Sequence, residues 1–203
     1  IDEWLVEMMS YLTSSLDSSD VKIKLVAANT IGNFCVKAID TGLLNSVSHK
    51  LTSAVKGCLE KELKSPSSTQ DNVPKDLNVM SGQVMALAAC ATRHVPSAIR
   101  MNIISLLFPC LKLKNLELKF RSYLIFALAT VLKQIPIETC TDDRDDLVAI
   151  VKTSYALLDL QMSAEPSVID QFSDKEMYYR SIQVLLNVTI SLSLRLIPLT
   201  EES

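Results

Sequence analysis

Apolar side chains recur at intervals of three and four residues along most of the chain, which is the spacing of one face of an α-helix. The pattern is clearest over Val21–Lys37, where Ser19 or Asp20 can cap the first turn. The predicted apolar face contains Ile23, Val26, Ala27, Thr30, Ile31, Phe34, Cys35 and Ala38. Gly32 lies inside this helix and costs about 1 kcal/mol relative to alanine. We therefore expect a second backbone to approach closely there.

The same period predicts a series of further helices. They are expected over residues 1–12, 43–63, 76–95, 97–111, 116–135, 147–160 and 173–197. Irregular insertions are predicted at 64–75 and 161–173, where polar residues and prolines interrupt the pattern. Glycine is scarce (4 residues) and aromatic residues make up only 5% of the chain, which argues against a β fold. The sequence predicts an all-α fold in a single domain over 1–203.

A small residue stands near the start of four of these helices, at Ala28, Gly82, Ser122 and Ser181. Their separations are 54, 40 and 59 residues, and a repeat length of about 40 residues is typical of several helical repeat families. The two longer intervals contain the predicted insertions. The spacing predicts stacked helical hairpins, each of which buries its apolar faces only against its neighbours.

The segment Val26–Phe34, with the sequence VAANTIGNF, resembles the last helix of an armadillo repeat. In that helix two small residues precede an aromatic residue, and a hydrophobic residue and an asparagine follow. Asn33 matches the asparagine, whereas Asn29 stands where peptide-binding armadillo proteins usually carry tryptophan. The resemblance implies a right-handed α-solenoid of about four armadillo- or HEAT-like repeats that binds a partner segment on its concave face.

Helices of this kind line the concave side of armadillo-like stacks, so their polar positions are the predicted partner-binding residues. These are Lys22, Asn29, Asn33 and Lys37 in the first helix, Lys119, Tyr123, Thr130 and Gln134 in a later one, and Tyr179, Gln183 and Asn187 in the last. Asparagine and glutamine can hydrogen-bond an extended backbone through donor and acceptor groups, and tyrosine is a frequent interface anchor. An ordinary solvated helix face is the alternative interpretation of the same pattern.

We expect a non-catalytic protein–protein interaction scaffold, whose partners are a protein or peptide and flanking repeats of a larger chain. The sequence begins at Ile1, so it is expected to be a fragment. The alternative function is nucleic-acid binding through a local basic patch of Lys112, Lys114, Lys119, Arg121 and Lys133. The net charge of −3 gives no overall attraction to nucleic acid or to an anionic membrane.

Catalytic and metal-binding patterns are not found in the sequence. It has no phosphate-binding glycine loop, no Gly-x-Ser-x-Gly and no His-Glu-x-x-His, and with two histidines and no Cys-x-x-Cys we expect no metal or cofactor. Its five cysteines are odd in number and widely spaced, which predicts free thiols in a reducing compartment. The longest apolar stretches are too short to cross a membrane. The expected location is intracellular, in the cytoplasm or the nucleus.

Overall fold

The computed structural model of this chain describes residues 3–37, 43–64, 75–91, 95, 97–112, 118–134, 144–171 and 175–194. Within these ranges all regular secondary structure is helical, which confirms the all-α prediction. The α-helices are α1 (Glu3–Ser15), α2 (Val21–Lys37), α3 (Leu43–Lys64), α4 (Lys75–Cys90), α5 (Ser97–Leu107), α6 (Leu118–Lys133), α7 (Arg144–Met162), α8 (Pro166–Gln171) and α9 (Lys175–Leu194). None of the described helices is long and apolar enough to span a bilayer.

Helix α2 begins as the capping prediction requires. The side-chain Oδ1 of Asp20 accepts a hydrogen bond of 2.8 Å from the backbone N–H of Lys22. The backbone oxygen of Asp20 accepts the first intrahelical bond, from the N–H of Lys24 at 3.1 Å. Asp20 is therefore the N-cap residue and satisfies donors that the helix cannot pair internally.

Proline sets the ends of two other helices. In the helix predicted over 97–111, Pro109 lacks an N–H for the α-helical pattern, and α5 ends at Leu107 and continues as a 3-10 helix over Phe108–Lys112. Pro166 occupies the first position of α8, where its missing N–H costs no hydrogen bond. The carbonyl of Glu165 accepts the next available bonds, from the N–H groups of Val168 and Ile169.

The predicted insertion at 161–173 is therefore wrong over most of its length. Helix α7 continues through Met162, and α8 covers 166–171, so only residues 163–165 are non-helical among those described. Residues 172–173 lie outside the described residues. The predicted insertion at 64–75 is bounded by Lys64, which ends α3, and Lys75, which begins α4, and residues 65–74 also lie outside the described residues.

Four of the helices form one layer, in which α2 packs on α4, α4 on α6, and α6 on α9. We call this row the first layer. Helices α2 and α4 run parallel, because Lys24 contacts Ser81 and Gly32 contacts Ala89, two pairs with the same separation of 57 residues. Helices α3, α5 and α7 pack against the first layer and form a second one, and α1 packs on α2.

Position in the first layer decides how many faces a helix buries. Helices α4 and α6 have neighbours on both sides and bury residues around most of their circumference, whereas α2 and α9 bury a single stripe. The predicted apolar face of α2 is wrong at Ile23 and Val26, which are 48% and 65% exposed. The physical reason is that α4 can approach α2 only along the side without bulky side chains, at Ala28 and Gly32.

Candidate protein-binding surface

The described glycines of α2 and α4 lie where another backbone segment approaches closely. A Cβ atom added to Gly32 would lie 2.5 Å from the carbonyl oxygen of Ala89 and 2.8 Å from its Cβ. A Cβ atom added to Gly82 would meet the carbonyl oxygen of Leu16 in the same way. The close approach predicted at Gly32 is thus confirmed, and it leaves no room for a side chain at either glycine.

A buried lysine links three helices of the first layer. The side chain of Lys24 is fully buried, and its Nζ donates a hydrogen bond of 2.8 Å to Oγ of Ser81. The same Nζ lies 5.4 Å from the ring centroid of Tyr123. Because a buried ammonium is tolerated only with partners of this kind, Lys24 fixes how α2, α4 and α6 fit together. Its partners are far away in sequence, so periodicity alone could not identify this role.

Gln161 performs a similar function for α6, α7 and α9. Its Nε2 donates hydrogen bonds to Oγ of Ser122 at 2.8 Å and to Oγ of Ser181 at 3.0 Å. Its Oε1 accepts from Nε of Arg121 at 3.2 Å, and its backbone oxygen accepts from the hydroxyl of Tyr178 at 3.1 Å. The small residues predicted at Ser122 and Ser181 are both buried, as expected, and their hydroxyl groups are used for this bridge.

The electrostatic environment of this bridge follows from its burial. Burial lowers the pKa of the Arg121 guanidinium and raises the pKa of the Tyr178 phenol, because a partly desolvated site disfavours both charged forms. The ring of Tyr178 also packs edge-on against Tyr179, with centroids 5.3 Å apart at 75°. Tyr179 is 59% exposed, so this contact holds an aromatic side chain at the surface next to a rigid bridge.

Most of the predicted partner-binding residues are exposed at the two sides of the first layer. On α2 these are Lys22, Asn29, Asn33 and Lys37, and on α9 they are Tyr179, Gln183 and Asn187. Each set recurs at intervals of four or seven residues, so its members share one side of their helix. The first layer therefore presents a polar stripe at α2 and another at α9. We call them the α2 stripe and the α9 stripe.

The predicted stripe on α6 is wrong at Tyr123, whose side chain is 0% exposed. Helix α6 has a neighbour on each side, and the ring lies against the amine of Lys24. The other predicted residues of α6, Lys119, Thr130 and Gln134, are half-buried. The hydroxyl of Thr130 donates to the carbonyl of Phe126 at 2.8 Å, so it already has an acceptor within its own helix.

An apolar stripe on α9 was missed by the sequence analysis. Leu186, Ile190 and Leu194 are exposed large hydrophobic residues, and together with Tyr179 and Gln183 they follow the three- and four-residue spacing of one helix face. In this helix the sequence pattern predicted only Tyr179, Gln183 and Asn187 as surface contact residues. Exposed apolar side chains that form a continuous stripe are instead typical of an interaction surface.

The five basic residues of the nucleic-acid alternative do not form one patch in the part of the chain that is described. Lys119 and Arg121 are two residues apart, which places them about 200° apart around α6. Nε of Arg121 is bonded to Gln161, and Lys119 is half-buried, whereas Lys133 is exposed. Lys112 belongs to the 3-10 helix after α5, and Lys114 lies outside the described residues.

The described cysteines are buried thiols. Cys35, Cys90 and Cys110 are free and buried; the side chains of Cys58 and Cys140 lie outside the description. Burial raises the pKa of the Cys110 thiol to about 11, and a hydrogen bond between the other two thiols lowers the pKa of Cys35 and raises that of Cys90. Across the described residues, no three His, Cys, Asp or Glu side chains are grouped so that they could hold a metal ion.

Comparisons with known proteins do not assign this chain to a family. No family model matches this chain, and neither the curated proteins nor the solved structures include a match. The described helices form a stack that is joined by the buried polar bridges of Lys24 and Gln161, with exposed stripes at α2 and α9.

Proposed function

We propose that this chain is a non-catalytic protein-interaction scaffold built as a right-handed α-solenoid of about four armadillo- or HEAT-like repeats. The parallel arrangement of α2 and α4, with a helix of the second layer between them in sequence, supports a repeating unit. The ordered packing of α2, α4, α6 and α9 supports propagation of that unit along the chain. The buried bridges of Lys24 and Gln161 stiffen the stack, which lowers the entropy lost on binding.

The observation that carries the proposal is the pair of exposed stripes on the first layer. The α2 stripe offers amides and ammonium groups from Asn29, Asn33 and Lys37, and the α9 stripe offers Tyr179 and Gln183. Amide side chains pair with the donors and acceptors of a peptide backbone, and a rigidly held tyrosine provides apolar contact area with a polar end. A protein or peptide segment is thus the partner that this chemistry fits best.

Flanking repeats are the second kind of partner in the proposal. Ile23 and Val26 on α2 and Ile190 and Leu194 on α9 are exposed, and α2 and α9 are the first-layer helices that bury a single stripe. Where a larger chain continues the array, a neighbouring repeat would cover these side chains together with the stripe on the same helix, and the partner segment would bind the stripe that stays exposed. A location in the cytoplasm or nucleus belongs to the same proposal and is supported by the free thiols of the described cysteines.

The test is a triple variant, Asn33→Ala, Tyr179→Ala and Gln183→Ala, compared with the parent chain in affinity capture followed by quantitative mass spectrometry. We expect loss of at least one protein that the parent captures, with unchanged helicity and melting, because the three side chains are exposed. Tyr155→Ala removes a similarly exposed tyrosine from α7 and serves as the matched control. Undiminished capture of every partner by the triple variant would remove the stripes from the proposal.

A further inference from the structure

Helix α5 lies between two openings in the second layer. On one side, a groove of about 640 Å³ is lined by residues of α5 and α3, and we call this the polar groove. On the other side, a pocket of about 180 Å³ lies between α5, α6 and α7, and we call this the apolar pocket. The volume of the polar groove is within the range of about 300–1,000 Å³ that is typical of ligand sites.

The polar groove is built from an unusual helix face. The side of α3 that faces α5 carries Asn45, Ser48, His49, Thr52 and Lys56, which recur at helical spacing. A helix face turned towards a neighbouring helix is normally apolar. Polar side chains keep their hydration better in an open groove than in a closed helix contact, which explains the opening between α3 and α5 along this face.

The chemistry of the groove favours an anionic group. Lys56 contributes an ammonium group to the lining, and no carboxylate occurs among the described lining residues, although the whole chain has a net charge of −3. Asn102 and Ser105 of α5 add hydrogen-bonding groups on the opposite wall, above an apolar floor that includes Ile103. A carboxylate could pair with Lys56 and accept hydrogen bonds from the neighbouring hydroxyl and amide groups.

The apolar pocket has a different character. Met101 and Ile104 of α5, with Phe108 of the following 3-10 helix, form one wall, and Leu157 of α7 lies on the other. Met101 is 55% exposed, so the pocket can be reached from the surface. A pocket of this size and lining fits a single apolar side chain, and a flexible methionine adapts to the shape of such a ligand.

We propose that an acidic peptide segment crosses α5, with a carboxylate side chain in the polar groove and an apolar side chain in the apolar pocket. A helix with its side chains is about 10–12 Å wide, and an extended peptide advances about 3.3 Å per residue. The two anchors of the peptide are therefore three or four residues apart. This docking surface belongs to the second layer and does not involve the α2 stripe or the α9 stripe.

The probe is a fluorescein-labelled ten-residue peptide of glycine and serine that carries two adjacent glutamates and, three residues later, one leucine. Fluorescence anisotropy with the whole chain at low salt is expected to show saturable binding. Changing both glutamates to glutamine, or the leucine to alanine, is expected to weaken binding about tenfold in each case. A peptide in which the leucine directly follows the glutamates tests the spacing and is expected to bind as weakly as the leucine-free peptide.

Matched protein variants locate the binding site. Lys56→Glu is expected to weaken binding of the probe about tenfold, whereas Lys50→Glu, with the same charge change at an exposed position of α3 outside the lining, has a much smaller effect. In Met101→Gln the affinity for the probe is expected no longer to depend on the leucine of the peptide. In Met162→Gln, at an exposed position away from the pocket, the affinity is expected to depend on the leucine as in the parent chain. All four positions are exposed, so folding is retained, and circular dichroism checks this.

Three results would overturn the proposal. They are no saturable binding of the probe, an equal loss of probe affinity for Lys50→Glu and Lys56→Glu, and an affinity that does not change when the leucine of the probe is replaced by alanine. The triple variant Asn33→Ala, Tyr179→Ala and Gln183→Ala is expected to bind the probe normally. If the triple variant lost binding of the probe while Lys56→Glu and Met101→Gln did not, the first layer would bind the peptide. The proposed function would then be retained, and the docking surface of the second layer would be rejected. If the probe binds normally and the triple variant still captures every partner, only the proposed function fails.

Discussion

Replacing Gly32 by alanine is expected to lower the free energy of unfolding by about 2 kcal/mol, as measured by urea denaturation. Overpacking a close contact lowers the free energy of unfolding by up to about 3 kcal/mol, whereas the better helix propensity of alanine raises it by about 1 kcal/mol. The overpacking cost exceeds the gain in helix propensity, because the new Cβ would lie 2.5 Å from the carbonyl oxygen of Ala89. This oxygen is a backbone atom, so it can move away only if α2 and α4 separate.

Gly57 provides the matched control for this substitution. It lies within α3, and a Cβ added there meets nothing within 4 Å. Gly57→Ala should therefore raise the free energy of unfolding by about 0.5–1 kcal/mol through helix propensity alone. If both substitutions stabilise the chain to the same extent, α2 and α4 are not in backbone contact.

Replacing Gln161 by leucine is expected to lower the free energy of unfolding by about 3 kcal/mol. Leucine has a similar volume, so the change leaves little cavity, but it removes the hydrogen bonds to Ser122, Ser181 and Arg121. Each is worth about 1 kcal/mol. The same urea titration measures this loss.

The control for the bridge is Gln83→Leu, the same substitution on α4. The Oε1 atom of Gln83 is buried and has no hydrogen-bond partner among the described residues. Removing an unsatisfied buried acceptor is expected to leave stability unchanged or to raise it by about 1 kcal/mol. Equal destabilisation by Gln83→Leu and Gln161→Leu would mean that the Gln161 hydrogen bonds do not hold α6, α7 and α9 together.

Local features of the fold could be predicted from the sequence because they depend on neighbouring residues. The bounds of α2, its cap at Asp20 and the close approach at Gly32 each follow from a short stretch of residues. The exposure of Asn29 and Asn33 follows in the same way, since a helix with one buried stripe leaves its polar side in water.

Features that depend on tertiary neighbours could not be predicted in this way. Tyr123 occupies a polar position at helical spacing, but α6 is covered on both sides, and this depends on helices distant in sequence. Lys24 is buried because Ser81 and Tyr123 receive its amine. Gln161 falls in the predicted insertion at 161–173, because a polar residue near a helix end does not show that its partners lie on two other helices.

The candidate surface shows the same division between local and tertiary information. The α2 stripe and the α9 stripe could be predicted because their residues repeat along single helices. The polar groove and the apolar pocket could not, because each is formed by residues from separate helices that only the packing of the second layer brings together.

Hydrogen–deuterium exchange of the native chain tests the central claim of a stacked first layer most directly. Helices α4 and α6 have neighbours on both sides, so their amides are expected to exchange most slowly, followed by those of α2 and α9, with the six-residue α8 fastest. This order would show that α4 and α6 are the interior of the stack. Stronger protection of α2 or α9 than of α4 and α6 would contradict it, and with it the proposal of a scaffold whose exposed stripes on α2 and α9 bind a partner.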